Sequence, residues 1–333
     1  MLVACSGDGE GGETTSPTTI ASAGTALPSP SGAPSGSSSA SASPSKPVTT
    51  LNNLDPISVN GKFGQAPAVT GPWPASAAKT QVKVLQEGTG AKVSKGGTVL
   101  VDYTGINATT GKSFDSSFDQ KTGKGKPVAF PLTQVVQGFR TGLEGQKIGS
   151  RVVILMTPKD GYGDRGQPQA GIGPNDSLIF VVDIISAQLE EPTGTPVTPP
   201  AGLPTVKDNG KGKAPTVTIP GGNAPDKLVI QPLIKGTGPA VKATDGIVVN
   251  YTSVGWKSGD VYAQTYGTGP EAGMLNTLIP GWQKGLVNQP VGSRVLLIVP
   301  PSEAYPKGNA TPSIPAGETL VYVVDILFAS PPS

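Results

Sequence analysis

Hydrophobic and polar positions alternate through "TVLVDYTG" (98 to 105), which sets Val99, Val101 and Tyr103 on one face of a strand. "SLIFVVDII" (177 to 185) alternates in the same way, with Leu178, Phe180, Val182 and Ile184 sharing a face. Between them "RVVILM" (151 to 156) is a continuous apolar run, the pattern of a central strand. One stretch reads as helix: "GFRTGLEG" (138 to 145), about two turns long. A helix that short is not stable alone, so it must lie on the sheet, with Phe139 and Leu143 among its buried contacts. The segment "TPKDGYGDRGQPQAGIGPNDS" (157 to 177) has no periodicity and is longer than a compact domain usually holds unless the loop has a task. It carries Tyr162 and Ile172. The fold class expected is α+β: a twisted, mainly antiparallel sheet with one short helix against its concave face.

The whole pattern then occurs a second time. "QVVQGFRTGLEGQKIGSRV" (134 to 152) returns as "TLIPGWQKGLVNQPVGSRV" (277 to 295), with Trp282 for Phe139 and Pro280 placed for a first helical turn. Tyr103 falls on Tyr251, Tyr162 on Tyr305, and "LIFVVDI" (178 to 184) on "LVYVVDI" (320 to 326). A register held that long marks a duplicated unit of about 120 to 140 residues, too long for a solenoid repeat and right for a domain. The expected organisation is a polar start and tether at 1–50, a first domain at 51–188, a linker at 189–210 and a second domain at 211–330.

Composition narrows the chemistry. Apolar residues make up 36% of the 333, a figure lowered by the Ser, Thr, Gly, Ala and Pro of the first fifty positions, which cannot bury enough surface to offset ordering entropy and are expected to be a disordered tether. A net charge of +2 with no Lys/Arg cluster argues against nucleic-acid partners and against a polybasic membrane patch. Histidine is absent and cysteine occurs once, which excludes Ser-His and Cys-His nucleophiles, His metal sites and Cys zinc clusters. No cofactor or metal is implied. No local spacing picks out a catalytic carboxylate pair.

The single cysteine stands in "MLVAC". An apolar pair, a small residue and Cys5, followed by a flexible polar tract, resemble the lipobox of bacterial lipoproteins, at which the cysteine is lipidated. That resemblance implies an extracytoplasmic protein touching the membrane only through a lipid on Cys5. No run of about 18 apolar residues occurs, so no helical span is expected.

Each repeat resembles an FKBP-type peptidyl-prolyl cis/trans isomerase domain, through "VDYTG", "GKSFDSS", "VVQGFRTGLEGQKIGSR", "DGYG" and "AGIGPNDSLIFVVDI" in order. The resemblance covers roughly 80 to 187 and 228 to 329, and leaves 55 to 79 and 206 to 227 as amino-terminal extensions. It implies a five- or six-stranded antiparallel half-barrel over the short helix, with an apolar pocket between. In the first domain Tyr103, Phe114, Asp115, Phe139 and Tyr162 would carry catalysis. Phe139 would floor the pocket under a proline ring, Tyr162 would donate to a substrate carbonyl, and Asp115 with Tyr103 would form the polar edge. Val135, Val136, Ile172 and Phe180 would complete the walls, one of them thinned by Val128 where the family tends to place an aromatic.

In the second repeat the matching residues are Tyr251, Leu278, Ile279, Trp282, Tyr305, Ile314 and Tyr322, expected to bind substrate. There "FDSS" becomes "VYAQ", with Val261 and Tyr262 read in place of the Phe-Asp pair and the carboxylate lost. Turnover is therefore expected mainly from the first domain. The implied function is acceleration of X-Pro isomerisation in unfolded or nascent secreted polypeptides, with macrolides as further ligands. The alternative is a non-catalytic chaperone that holds peptides in two apolar clefts by avidity.

Overall fold

The computed structural model of the chain describes residues 47–332. The lipobox-like start, Cys5 and nearly all of the expected tether lie outside them. Two compact units follow one another, the first ending at Ala187 and the second starting at Gln188.

In the first unit the elements run β1 (Thr49–Leu51), β2 (Ser58–Asn60), β3 (Ala68–Thr70), β4 (Ala75–Ala77), β5 (Gln81–Gln86), β6 (Thr98–Asn107), β7 (Ser113–Ser116), β8 (Val128–Pro131), α1 (Gln137–Leu143), β9 (Arg151–Met156) and β10 (Leu178–Ala187). Six strands form the main sheet, in the order β5-β9-β10-β6-β7 with β8 also paired to β6. The alternation read from the sequence decides which side chains face α1: Val99, Val101 and Tyr103 from β6, and Leu178, Phe180, Val182 and Ile184 from β10, share one buried cluster with Phe139 and Leu143. Two glycines let the helix come that close. A Cβ at Gly138 would stand 2.8 Å from Met156 Cβ, and one at Gly142 would stand 2.4 Å from Ile154 Cδ1.

The unbroken apolar run of β9 has a cause that alternation alone does not supply. Val152, Ile154 and Met156 face the helix, while Val153 and Leu155 face a second cluster on the outer side of the sheet, built with Leu51, Leu54, Ile57 and Trp73 from the extension. That extension is fixed by a buried ion pair. Arg151 bonds Asp183 across β9 and β10 at 2.6 Å and also donates to the carbonyls of Gly61 and Gln65, while Gly64 N donates to Asp183. The extension is thus an integral cover, and it begins at Thr49, within the stretch expected to be tether.

The second unit comprises β11 (Gly194–Pro196), β12 (Thr205–Lys207), β13 (Thr216–Thr218), β14 (Val229–Gly236), β15 (Gly246–Gly255), β16 (Val261–Gln264), β17 (Glu271–Met274), α2 (Pro280–Leu286), β18 (Arg294–Val299) and β19 (Leu320–Ser330). Its sheet has seven strands, one more than expected, in the order β11-β14-β18-β19-β15-β16 with β17 paired to β15. The additional strand corrects the domain boundary. Residues 189–210 are not a free linker: Leu189 N bonds Leu327 O, Thr193 N bonds Gly292 O, β11 pairs with β14, and β12 pairs with β13. A Pro- and Thr-rich string reads as linker, yet its extended backbone also suits a sheet edge, where a missing N–H costs nothing. On the outer face Leu203, Val206, Val217 and Ile219 pack against Trp256, Leu296 and Ile298, and Arg294 bonds Asp325 at 2.6 Å as Arg151 does Asp183.

Candidate functional site

In the first unit the site lies between the inner face of the sheet and α1. The register of β6 and β7 sets Asp115 opposite Gly105 and Ser113 opposite Ile106, leaving Phe114 as an inserted residue. Such a bulge breaks the alternation and lets two successive side chains turn to one side. Phe114 meets Phe180 edge-on at 5.6 Å, and Asp115 Oδ2 accepts a 2.5 Å hydrogen bond from Tyr103 Oη. Gly105 makes room for this, because a Cβ there would stand 2.5 Å from the Phe114 ring.

Phe139 is the third residue of α1 and is fully buried. Its ring meets those of Phe180, Phe130 and Tyr103 edge-on at 5.3, 5.8 and 6.5 Å. Tyr162 and Ile172 are brought to the same cluster by the long segment after β9, together with Val135 and Val136 from the approach to α1. That segment is ordered by its own bonds: Asn107 Nδ2 donates to Gly171 O and to Asp176 Oδ2, and Gly173 N donates to Asp176 Oδ2. All nine first-domain residues singled out from the sequence therefore meet around one apolar site. Burial, reinforced by the hydrogen bond and charge of Asp115, holds the Tyr103 hydroxyl well above the ordinary tyrosine range. Tyr162 is raised for the same first reason, burial, and then by the charge of Asp115, so both hydroxyls remain proton donors across the physiological range.

The second unit carries a cleft open to solvent, about 420 Å³ with its mouth included, bordered by Tyr251, Leu278, Ile279, Trp282, Tyr305, Ile314 and Tyr322. Those are the seven residues matched from the sequence. Trp282 meets Tyr251 and Tyr322 edge-on at 5.2 and 5.3 Å. Its Nε1 is buried with no acceptor among the described residues, at the floor of the cleft.

The pairing of β15 with β16 shifts the sequence alignment by one position. Ser253 lies opposite Ala263 and Val254 opposite Val261, so Tyr262 is the inserted residue and takes the place of Phe114, while Ala263 takes that of Asp115. Val261 stands one position earlier and is exposed. Tyr262 also sits differently from Phe114. Ser253 fills the space that Gly105 leaves open, and Tyr262 instead lies over Gly255 with its hydroxyl 3.2 Å from Ser258 Oγ.

Three residues of this cleft escaped the sequence reading: Ser253, Ala263 and Pro312. The first two follow from the offset that carries Tyr103 onto Tyr251, which also carries Gly105 onto Ser253 and Asp115 onto Ala263; no signal in the string marks Pro312. A fourth neighbour is Glu271 on β17, paired with Val249. Burial raises the Tyr251 hydroxyl first, with the charge of Glu271 next. Among the described residues no helix is long and apolar enough to cross a membrane.

Comparison with known proteins agrees with this geometry. A family model described as FKBP-type peptidyl-prolyl cis-trans isomerase matches residues 89–185 and 238–327, together more than half of the chain. An FK506-binding protein of Streptomyces anulatus is 35% identical over 124 residues, 37% of this chain and 97% of that protein. The peptidyl-prolyl cis-trans isomerase Mip of Chlamydia trachomatis is 41% identical over 109 residues, 33% of this chain and 41% of that protein. A crystal structure of the three FKBP domains of wheat FKBP73 is 19% identical, covering 75% of this chain and 94% of that one at a TM-score of 0.32. Two isomerase-type domains in tandem, each closing an aromatic-floored site between sheet and helix, place this chain in the family of FKBP-type peptidyl-prolyl cis-trans isomerases.

Proposed function

We propose that the first domain supplies most of the isomerase activity and that the second cleft chiefly binds. The observation that carries this reading is the 2.5 Å bond between Tyr103 Oη and Asp115 Oδ2 beside the buried Phe139 ring, a polar edge that Ala263 removes from the second cleft. Amide resonance opposes rotation about X-Pro with a barrier of about 18 to 20 kcal/mol. The twisted state has lost that resonance, so no proton transfer or covalent step is needed. A proline ring resting on Phe139 leaves water behind, which weakens hydration of the planar amide, and the Tyr162 hydroxyl meets the reoriented carbonyl. The substrates on this reading are proline-containing unfolded or nascent secreted polypeptides, and a macrolide would occupy the same site.

Support for an extracytoplasmic, lipid-anchored protein is the "MLVAC" string alone. Incorporation of labelled fatty acid that survives Cys5→Ser would reject it. The assignment of activity is tested by isomerisation of a proline tetrapeptide with the full chain carrying Asp115→Ala or Tyr162→Phe: turnover falls in both, and unchanged turnover moves the reaction to the second domain. A specific feature also favours peptide holding: the second cleft keeps its aromatic floor and walls while Ala263 on β16 stands where the first site has Asp115. Suppression of aggregation of an unfolded protein that continues in the Asp115→Ala chain is the result expected from that role.

A further inference from the structure

The carboxylate missing from β16 of the second domain has a counterpart elsewhere in the same site. Glu271 lies directly opposite Val249 in the β15–β17 pairing. Directly opposed residues of an antiparallel pair point to the same face. Val249 is fully buried and alternation along β15 puts it on the same face as Tyr251, so Glu271 belongs to the face that holds the cleft. Tyr251 is its diagonal neighbour, a separation long side chains bridge. In the first domain the same position, opposite Val101, is Val128, which packs against the apolar cluster. The position beside the site tyrosine is therefore hydrocarbon in the first unit and a half-buried carboxylate in the second, next to Tyr251, which borders the cleft. The nearby charges on the helix side, Lys284 and Glu303, are 2.6 Å apart and compensate each other.

We propose that Glu271 sets the ligand preference of the second cleft, drawing in proline segments with a lysine or arginine next to the proline, which the Val128 wall of the first site does not select. This rests on reading the second cleft as a proline-binding site. After burial, the charge of Glu271 helps to raise the hydroxyl of Tyr251, a residue that borders the cleft. A partly solvated ion pair of this kind favours the cationic peptide by about threefold to fivefold.

Trp282 supplies a reporter, since Trp73 and Trp256 belong to the outer clusters of their units. Capped Ala-Lys-Pro-Phe, Ala-Leu-Pro-Phe and Ala-Glu-Pro-Phe are titrated into the full chain by tryptophan fluorescence at low salt, with Trp282→Phe identifying the signal from the cleft. The expected order of affinity is Lys, then Leu, then Glu, with the differences shrinking in high salt. Glu271→Gln brings the three together, and Glu271→Lys inverts them. Equal affinities in the unaltered chain, or an unchanged order in Glu271→Gln, overturn the assignment to Glu271. A response from none of the peptides instead overturns the proline-binding reading beneath it.

Discussion

The two clefts are copies with one scaffold and different linings. Both use an aromatic ring from a seven-residue helix as floor, and both bring a tyrosine from the long segment after the helix-facing strand. Beyond exchanges of one apolar or aromatic ring for another, they part in polarity at three positions on the sheet. Gly105 becomes Ser253, Asp115 becomes Ala263 and Val128 becomes Glu271, so that the second site gains a hydroxyl on the sheet and has its carboxylate on another strand. Beneath these changes the helix, the strand order around the site and the buried Arg-Asp pair recur, while the second unit adds β11 to its sheet and builds its outer cover from β12 and β13. A duplicated domain can therefore change the lining of its cleft while keeping the buried pair and the helix packing that hold it folded.

The largest effect that separates the halves is expected from their ion pairs. Asp183→Ala leaves Arg151 charged in a buried place and costs the first unit about 3 to 5 kcal/mol, and Asp325→Ala lowers the second by less, because Arg294 keeps Asp208 at 3.3 Å. Calorimetry on the full chain then shows one transition lowered in each variant; both transitions falling together would show the units to be energetically one. Next in size, Asp115→Ala removes a charge-assisted hydrogen bond and lowers kcat/KM roughly tenfold, about 1.4 kcal/mol. Ala263→Glu in the second cleft does not restore that loss.

Smaller still is the exchange of floors. Phe139→Trp and Trp282→Phe together change peptide affinity by only about twofold to fourfold at each site, because either ring offers a stacking face; a change of a hundredfold in a titration would mean that the floor rather than the rim distinguishes the sites. The smallest effect is expected from pH. With histidine absent and the site tyrosines raised, turnover stays level between about pH 6 and 9. Above the ordinary tyrosine value of 10.0 the unfolded chain loses protons that the folded chain retains, so stability is full below that value and declines as pH rises past it. Thermal unfolding followed against pH checks the sign, and a stability that increases from pH 9 to 11 contradicts it.

How much of this was legible in the string follows from the physics of each part. The period of two along β6 and β10 marks the inner face, and the repeated helix phrase carries the floor, so the residues of both sites could be gathered before any coordinates. The outer cover could not. Its strands are three residues long, too short for a period to show, and their partners lie on the far side of β9. The mistaken pairing of Val261 and Tyr262 with Phe114 and Asp115 comes from a one-residue slip in a stretch with few matching residues: both copies carry the same bulge, and the offset that sets Tyr103 on Tyr251 also sets Phe114 on Tyr262 and Asp115 on Ala263. Glu271 was visible all along as the residue matching Val128. Its importance emerged only when the β15–β17 register put it on the face of Tyr251.

The strand order has a consequence for how the chain is made. In each unit the last strand to leave the ribosome, β10 or β19, is inserted between two earlier ones, β9 with β6 and β18 with β15. Neither sheet can close until its final ten or so residues have been synthesised, and pairings so distant in sequence form slowly. A stall near residue 175 would strand a half-built protein with its aromatic floor open to water, whereas a stall well inside the second unit would find the first site already finished.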